Sequence, residues 1–439
     1  MTMKKIAFIG AGSVVFTTAV IADIATFPAF DDAHIALMDI NPHHLQRITE
    51  CVERIRRERG VHFTITVTED RSEALRDADA VLCTVFNGDV DIWRHEIEIP
   101  AKYGVSMNVG DTRSVAGIFR ALRNIPLMLD ICADIEKYCP NAVFLNYTNP
   151  MAMLCKAMQT RYPKVDVTGL CHSVQETSRM LAEWASVDYE GVKYTCAGIN
   201  HMAFFLELTH EGRDLYPILR EKIEEETYAN KEKVRNEIFR TFGYYVTESS
   251  GHNSEYTPWF RKRPDLLRRY CSPVGANWNP GEHAFSLNVR SDPQRFDKAI
   301  DSWFARPLPP NRTKEYAANI LNARIGDGTP FPFNANVLNC GTIANLPDQA
   351  CVEVPVVAHK DGYTRTWQGT LPTAIATLVG WTAGIENLIF EAFCEKSKAK
   401  VYQAVSLDPL CAAVLSLAEI KEMCDEIFEK NQDYLGDYR

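Results

Sequence analysis

Through roughly the first 170 residues, short apolar runs rich in β-formers alternate with longer stretches of helical period. The runs at 6–9, 35–38, 63–68, 80–85, 142–145 and 165–170 predict strands, and patterns such as 42–59 and 116–138 predict helices between them. This rhythm is that of parallel βαβ units, and it predicts an α/β fold with an N-terminal parallel sheet. Asn41–Pro42 and Asn149–Pro150 are expected helix starts, with Asn as the cap and Pro in the first turn.

Past Cys196 the rhythm changes. Strand-like CAGIN and FFLELT lead into charged helical patterns over 221–241, then a loop-rich stretch over 249–310. Strands are predicted near 333–338 and 351–357, followed by long helices from Pro372 onward. The expected organisation is therefore a nucleotide-binding part, 1–196, and a C-terminal α+β part, 197–439. TAIATLVGWTAGIENLIFEAF is apolar almost all round, which suits a core helix or a subunit interface. Glu386 and two Gly within it argue against a membrane span. A homodimer or homotetramer is expected from these apolar helices.

Composition narrows the function. In 439 residues the net charge is −10, and the basic residues form no tail or stripe, which excludes nucleic acid and anionic membrane as partners. Thirteen Cys, an odd number without CxxC spacing, sit mostly in apolar stretches and point to a reducing cytoplasm. Lys4 and Lys5 ahead of an apolar run imitate a signal peptide, but Gly10 and Gly12 break the run. No processing is expected.

Candidate chemistry lies in three places. In KKIAFIGAGS, Gly10 and Gly12 fill the first two glycine positions of a dinucleotide fingerprint, directly after a predicted strand, with Ser13 opening the next helix. Position 15 is Val, so the third glycine is missing. Asp39, ending the second strand in ALMDI, is placed to accept hydrogen bonds from ribose hydroxyls and to disfavour a 2′-phosphate, which selects NAD. Cys171 in LCHSV and His201 in AGINHM could share one divalent cation. Two ligands are too few for a structural zinc site but suit a catalytic ion completed by substrate and water.

Taken together, GAGS, HIALMDI, the stretch from GDT to GIFRALRNIP (110–126), NYTNPMAM (146–153), GLCHSVQ (169–175), AGINHMAF (197–204), TESSGHNSEYTPWF (247–260), NLPDQACVEVP (345–355) and LDPLCAAVL (407–415) resemble glycoside hydrolase family 4, most closely its α-galactosidase branch. The resemblance spans nearly the whole chain. It implies an N-terminal Rossmann-type parallel sheet like that of lactate and malate dehydrogenases, NAD, a divalent ion (usually Mn²⁺), and a small-molecule α-galactoside such as melibiose. It also implies the NAD-dependent exception to two-carboxylate glycosidases. There, carbon 3 of the sugar is transiently oxidised, the carbon-2 proton is removed, the glycosidic oxygen is eliminated, water adds, and the hydride returns.

On this resemblance Cys171 and His201 are metal ligands, and Asn149 binds substrate hydroxyls near the nicotinamide. His172 is the leaving-group acid and a substrate contact, and Asp111 of GDT lines the substrate site. For the carbon-2 base the candidates are His252, then Tyr256 and Glu255. RSVAG after GDT departs from the Gly-Pro-Gly-Gly stretch of some relatives. Glucosides, galacturonides and glucuronides are alternative substrates. More distant readings are an NAD-dependent 2-hydroxy-acid dehydrogenase, which needs no Cys–His pair, and an NAD-binding regulator.

Overall fold

The computed structural model describes residues 3–272 and 279–439. One sheet of twelve strands runs through the molecule: β1 (Lys5–Ile9), β2 (His34–Met38), β3 (Thr64–Thr68), β4 (Ala80–Cys83), β5 (Val143–Asn146), β6 (Asp166–Gly169), β7 (Val192–Ile199), β8 (Met202–His210), β9 (Arg213–Asp214), β10 (Phe331–Leu338), β11 (Cys351–His359) and β12 (Gly362–Arg365). Its order is β3-β2-β1-β4-β5-β6-β10-β11-β7-β8-β9, with β12 beside β11. The first six strands are parallel and follow the doubly wound nucleotide-binding order, whose ligand crevice opens where the order reverses between β1 and β4. From β10 onward every pairing is antiparallel.

The period-2 alternation of strand side chains divides the core between the two faces of this sheet. Ile6, Phe8, Ile35, Leu37, Ala80 and Leu82 point into one buried cluster, and Ala7, Ile9, Ala36, Met38, Val81 and Cys83 into another. Helices cover both faces, so β4 and β5 are buried at every position. The helix Pro42–Arg59 starts as expected: the Asn41 side chain accepts from the His44 N–H, and Gly60 closes the helix at φ +69°.

Three expectations change. Asn149 is not a helix cap, because Pro150 itself holds the cap position of the helix Met151–Arg161. The helix predicted over 116–138 starts earlier and spans Ser114–Tyr138. The stretch expected to be loop-rich contains the short helices Ser250–Asn253, Pro264–Tyr270, Phe285–Arg290 and Arg295–Phe304. The first three are too short to show a clear helical period, whereas Arg295–Phe304 carries one in Phe296, Ile300, Trp303 and Phe304 that the expectation of loop passes over.

The helix Thr373–Glu395 is, among the described residues, the one long and apolar enough by length and composition to cross a membrane. Here it packs inside the chain against the helices Ser114–Tyr138, Met151–Arg161 and Lys398–Leu407. Its buried Glu386 accepts a 2.7 Å hydrogen bond from the Arg113 guanidinium.

Candidate active site

Parallel strands deliver their C-terminal ends to one edge, and both predicted centres assemble there. After β1 the chain turns at Gly10, φ +80°, where a Cβ would collide with the Thr84 carbonyl beyond β4. At Gly12 a Cβ would come within 2.8 Å of Asp39 Oδ2 and 2.9 Å of His44 Nδ1. The Gly12 N–H donates to Asp39 Oδ2 at 2.8 Å, and the Asn41 N–H donates to Asp39 Oδ1 at 3.0 Å. Asp39 therefore fixes the turn from the strand next door. Ser13 caps the helix Val14–Ile24 without a side-chain bond, which leaves first-turn N–H groups free for an anion. Val15 stands 68% exposed at the third-glycine position, so its side chain blocks no close helix–strand contact.

At the far end of the parallel strands, Cys171 follows β6. His201 sits on the two-residue turn between β7 and β8 in the left-handed region, φ +62°. A non-Gly residue held there is a strained position of the kind that collects at functional sites. Glu248, also left-handed at φ +64°, brings a carboxylate to the same place. One ligand atom each from Cys171, His201 and Glu248 lie within 4.8 Å of one another. His201 Nε2 is 3.3 Å from Glu248 Oε2, while its Nδ1 is 3.2 Å from the Tyr256 hydroxyl. This spends one ring nitrogen on an outer partner and frees the other, as metal-binding His residues require.

The protonation pattern follows the packing. Burial holds the Cys171 thiol well above its usual range. Burial pulls the His201 imidazole down to about 4, against the pull of Glu248. Burial works on His252 too, but there the Glu248 carboxylate, 3.1 Å from Nδ1, prevails and lifts the group to about 9. For Glu248 burial is overcome by His252 and His201, and its carboxyl is held well below the usual range. A thiol, a neutral imidazole and a carboxylate thus face one point, a donor set that fits a borderline divalent cation.

Around this point stand the other predicted residues. The Ser249 hydroxyl lies 2.9 Å from His252 Nδ1, and Asp111 Oδ1 lies 3.8 Å from its Nε2. Burial raises Asp111, but His252 and Arg120 reverse this and its carboxyl ends below the usual range. Tyr256 is buried with Arg113 over its ring, and burial, Asp111 and Glu255 lift its phenol well above the ordinary value. The carboxylate of Glu255, a rival for the base, is occupied: it accepts from the N–H groups of Asn108, Val109 and Gly110 and so shapes the loop that presents Asp111. His172 is at the rim, its side chain 40% exposed, with Glu176 and Glu315 each 4.0 Å from one ring nitrogen. The Asn149 carbonyl accepts from Asn124 Nδ2 at 3.1 Å, beyond the end of β5.

Two residues the motifs did not single out matter here. Glu248 lies inside TESSGHNSEY, and an acid beside a potential ligand histidine was the available signal. Arg113 donates to Glu386 and to the Asn200 carbonyl, tying the apolar helix to the turn that carries His201.

Comparison with known proteins agrees with this layout. Residues 5–187 match the model of the family 4 glycosyl hydrolases, and residues 196–411 match that of the family 4 glycosyl hydrolase C-terminal domain. An α-galactosidase of Bacillus subtilis (strain 168) is 38% identical over 449 residues, covering 100% of both chains. An α-galactosidase of Rhizobium meliloti (strain 1021) is 34% identical over 446 residues, covering 100% of this chain and 90% of that one. A 6-phospho-α-glucosidase from gut microorganisms, solved in complex with NAD and Mn²⁺, superposes with a TM-score of 0.80 at 21% identity over 98% of each chain.

Proposed function

The chain belongs to family 4 of the glycosyl hydrolases, and from that premise we propose that this glycosidase cleaves α-galactosides with NAD and Mn²⁺ through transient oxidation at carbon 3. The observation that carries the reading is the buried convergence of Cys171, His201 and Glu248 at the same sheet edge as an anion-ready glycine turn. The identity to two α-galactosidases over the full chain supports the galactoside.

Gly10, Gly12 and Ser13 would hold the pyrophosphate, Asp39 the ribose hydroxyls, and Asn149 the sugar beside the nicotinamide. Cys171 and His201, joined by Glu248, would hold the ion. When bound, NAD supplies a hydride acceptor and donor, and the divalent ion supplies a Lewis acid for the oxidised sugar oxygen. Everything else falls to side chains. His201, kept neutral, offers a lone pair, and Cys171 releases its proton on loading. Tyr256, its ring 6.0 Å from that of His252, is the rival for the carbon-2 proton, which is assigned to His252. Its proton is held by Glu248, so the base form is reached when that carboxylate turns away from the imidazole. His172, at the exposed rim where an aglycone leaves, is assigned to the departing oxygen. Residues 1–196 would carry the nucleotide and 197–439 complete the site. The exposed apolar residues Trp381, Leu407 and Leu417 near the long C-terminal helices support a homodimer or homotetramer, and thirteen free thiols support a cytoplasmic setting.

Hydrolysis of p-nitrophenyl α-galactoside in D₂O, with NAD and Mn²⁺ present, tests the mechanism. Deuterium is expected at carbon 2 of the released galactose, without accumulation of NADH. Galactose free of deuterium would sink the oxidation–elimination route.

A further inference from the structure

Five arginines are almost wholly buried: Arg113, Arg120, Arg123, Arg235 and Arg261. Four have partners that account for their burial. Arg113 bonds Glu386 and the Asn200 carbonyl, Arg123 bonds the Asn87 carbonyl and Asn431, Arg235 bonds Glu232 and Thr177, and Arg261 bonds the carbonyls of Ser106, Gly281 and Glu282. Arg120 is the exception. It is 6% exposed, its Nε is sealed from solvent without a partner, and no hydrogen bond or ion pair joins its guanidinium to any described residue. A buried guanidinium whose Nε–H has no acceptor is costly, and its terminal N–H groups, bonded to no described residue, are open to a ligand that supplies oxygens.

The surroundings show what such a ligand must look like. The guanidinium lies over the Phe86 ring at 4.5 Å, with the Trp93 ring centroid at 5.8 Å, so two aromatic faces fix the plane of the fork. The charges it senses are those of Asp111 and Arg290, and burial draws it down to about 10, still cationic at neutral pH. Trp93 donates its Nε1–H to the Gly110 carbonyl at 3.1 Å, which sets the fork against the loop that carries Asp111, and Asp111 Oδ1 lies 3.8 Å from His252 Nε2. On Asp111, Oδ1 takes the Thr112 hydroxyl, while Oδ2 accepts from no described residue.

An arginine and a carboxylate that sense one another normally close into a bonded pair. Here no hydrogen bond or ion pair joins Arg120 to Asp111, and each keeps an unpartnered group. We propose that Arg120 and Asp111 form a clamp for the 6-hydroxyl of the glycone, the position at which a uronic acid or a 6-phosphate carries its charge, and that this clamp selects an uncharged sugar over either. A hydroxyl accepts from the guanidinium and donates to Asp111 Oδ2 at once. A carboxylate or phosphate has no proton to give Asp111 and meets its negative charge. The inference deepens the glycosidase reading, on which the presence of a sugar rests.

Calorimetric binding of D-galactose, its 4-deoxy and 6-deoxy analogues and D-galacturonate to the NAD- and Mn²⁺-loaded protein tests the clamp without relying on turnover. Arg120→Met is expected to weaken galactose binding roughly 10- to 100-fold, the range of a lost charge-assisted contact, with Arg120→Lys recovering part of it. The loss should vanish for the 6-deoxy sugar, which lacks the clamped hydroxyl, and persist for the 4-deoxy sugar. Galacturonate should bind the wild type at least about tenfold more weakly than galactose. With p-nitrophenyl α-galactoside, KM should rise while kcat stays within a few fold. Should Arg120→Met fail to fold, Arg120→Lys carries the same comparison. Equal losses for every sugar, unchanged galactose binding, or Arg120-dependent preference for galacturonate would each overturn the clamp. The clamp pattern without deuterium at carbon 2 overturns the mechanism alone. Carbon-2 exchange with Arg120→Met binding like wild type overturns the clamp alone.

Discussion

The glycine turn and the Cys171–His201–Glu248 cluster occupy the same edge of the sheet, yet they are made of different material. The turn is main chain. Gly10 and Gly12 contribute by lacking a Cβ, Asp39 takes a backbone N–H, and the helix Val14–Ile24 offers its free N–H groups. The cluster is side chain, drawn from the end of β6, the β7–β8 turn and the strained segment at Glu248. A site of peptide groups tolerates changes in what its side chains are and fails when one is added. A site of side-chain donors fails when any one is removed. The two should therefore break in opposite ways.

The largest effect is expected at the cluster. Cys171→Ser, His201→Ala and Glu248→Gln should each lower kcat/KM by about 10³-fold or more and weaken Mn²⁺ binding, while leaving NADH binding nearly intact. Calorimetry with each ligand separately checks this. A Glu248→Gln variant with wild-type Mn²⁺ affinity would remove Glu248 from the donor set.

Next comes the turn. Gly10→Ala sets a Cβ against the Thr84 carbonyl at φ +80°, so NADH affinity should fall about 10²-fold, as strain plus lost approach together imply. Mn²⁺ binding should barely change. Loss of both ligands in either variant would erase the distinction between the two regions.

A smaller effect separates them by pH. The cluster carries shifted groups, and the metal-free protein should show it. His252, raised to about 9, adds stability that is full below its unfolded value near 6.5 and is lost as pH rises through about 9. His201, lowered to about 4, acts the other way, costing stability as pH falls from about 6.5 towards 4. Thermal unfolding without metal should therefore peak between these windows, and His252→Gln should flatten its alkaline side. An unchanged alkaline slope in that variant would place the titration elsewhere.

The smallest change is expected at Ser13. Its hydroxyl makes no cap bond, so Ser13→Ala should shift stability by less than about 0.5 kcal/mol, well under the usual loss of a cap. A loss of about 1 kcal/mol or more on denaturant unfolding would show a side-chain role in the turn.

What the chain revealed in advance follows the same division. The turn is local, so GAGS and the strand-ending Asp39 were readable from spacing, as were the parallel strands, whose apolar runs are buried on both faces. Cys171 and His201 were readable only as a faint pair until the resemblance was added. Glu248 escaped because nothing in TESSGHNSEY tells which polar residue turns inward; that is settled by a left-handed backbone and by β8, against which the segment lies through Phe204 and Val246. Glu255 looked like a rival base in the same motif, yet three backbone N–H groups hold it. Asn149 read as a cap because Asn–Pro is the ordinary signature of a helix start. Such outcomes are decided by tertiary contacts that no local pattern carries.

The single sheet has a mechanical consequence. Because β10 enters beside β6 and carries the order on to β11 and β7, the nucleotide edge and the hairpin that bears His201 are parts of one hydrogen-bonded plate. The joints are narrow, one facing pair each, Asn336 with Gly169 and Glu353 with Gly198, so a relative movement of the two parts must bend the sheet at those pairs. Movement of the His201 turn relative to the glycine turn would therefore strain main-chain bonds of the sheet, whereas the His172 rim, with its side chain 40% exposed, can shift without disturbing them.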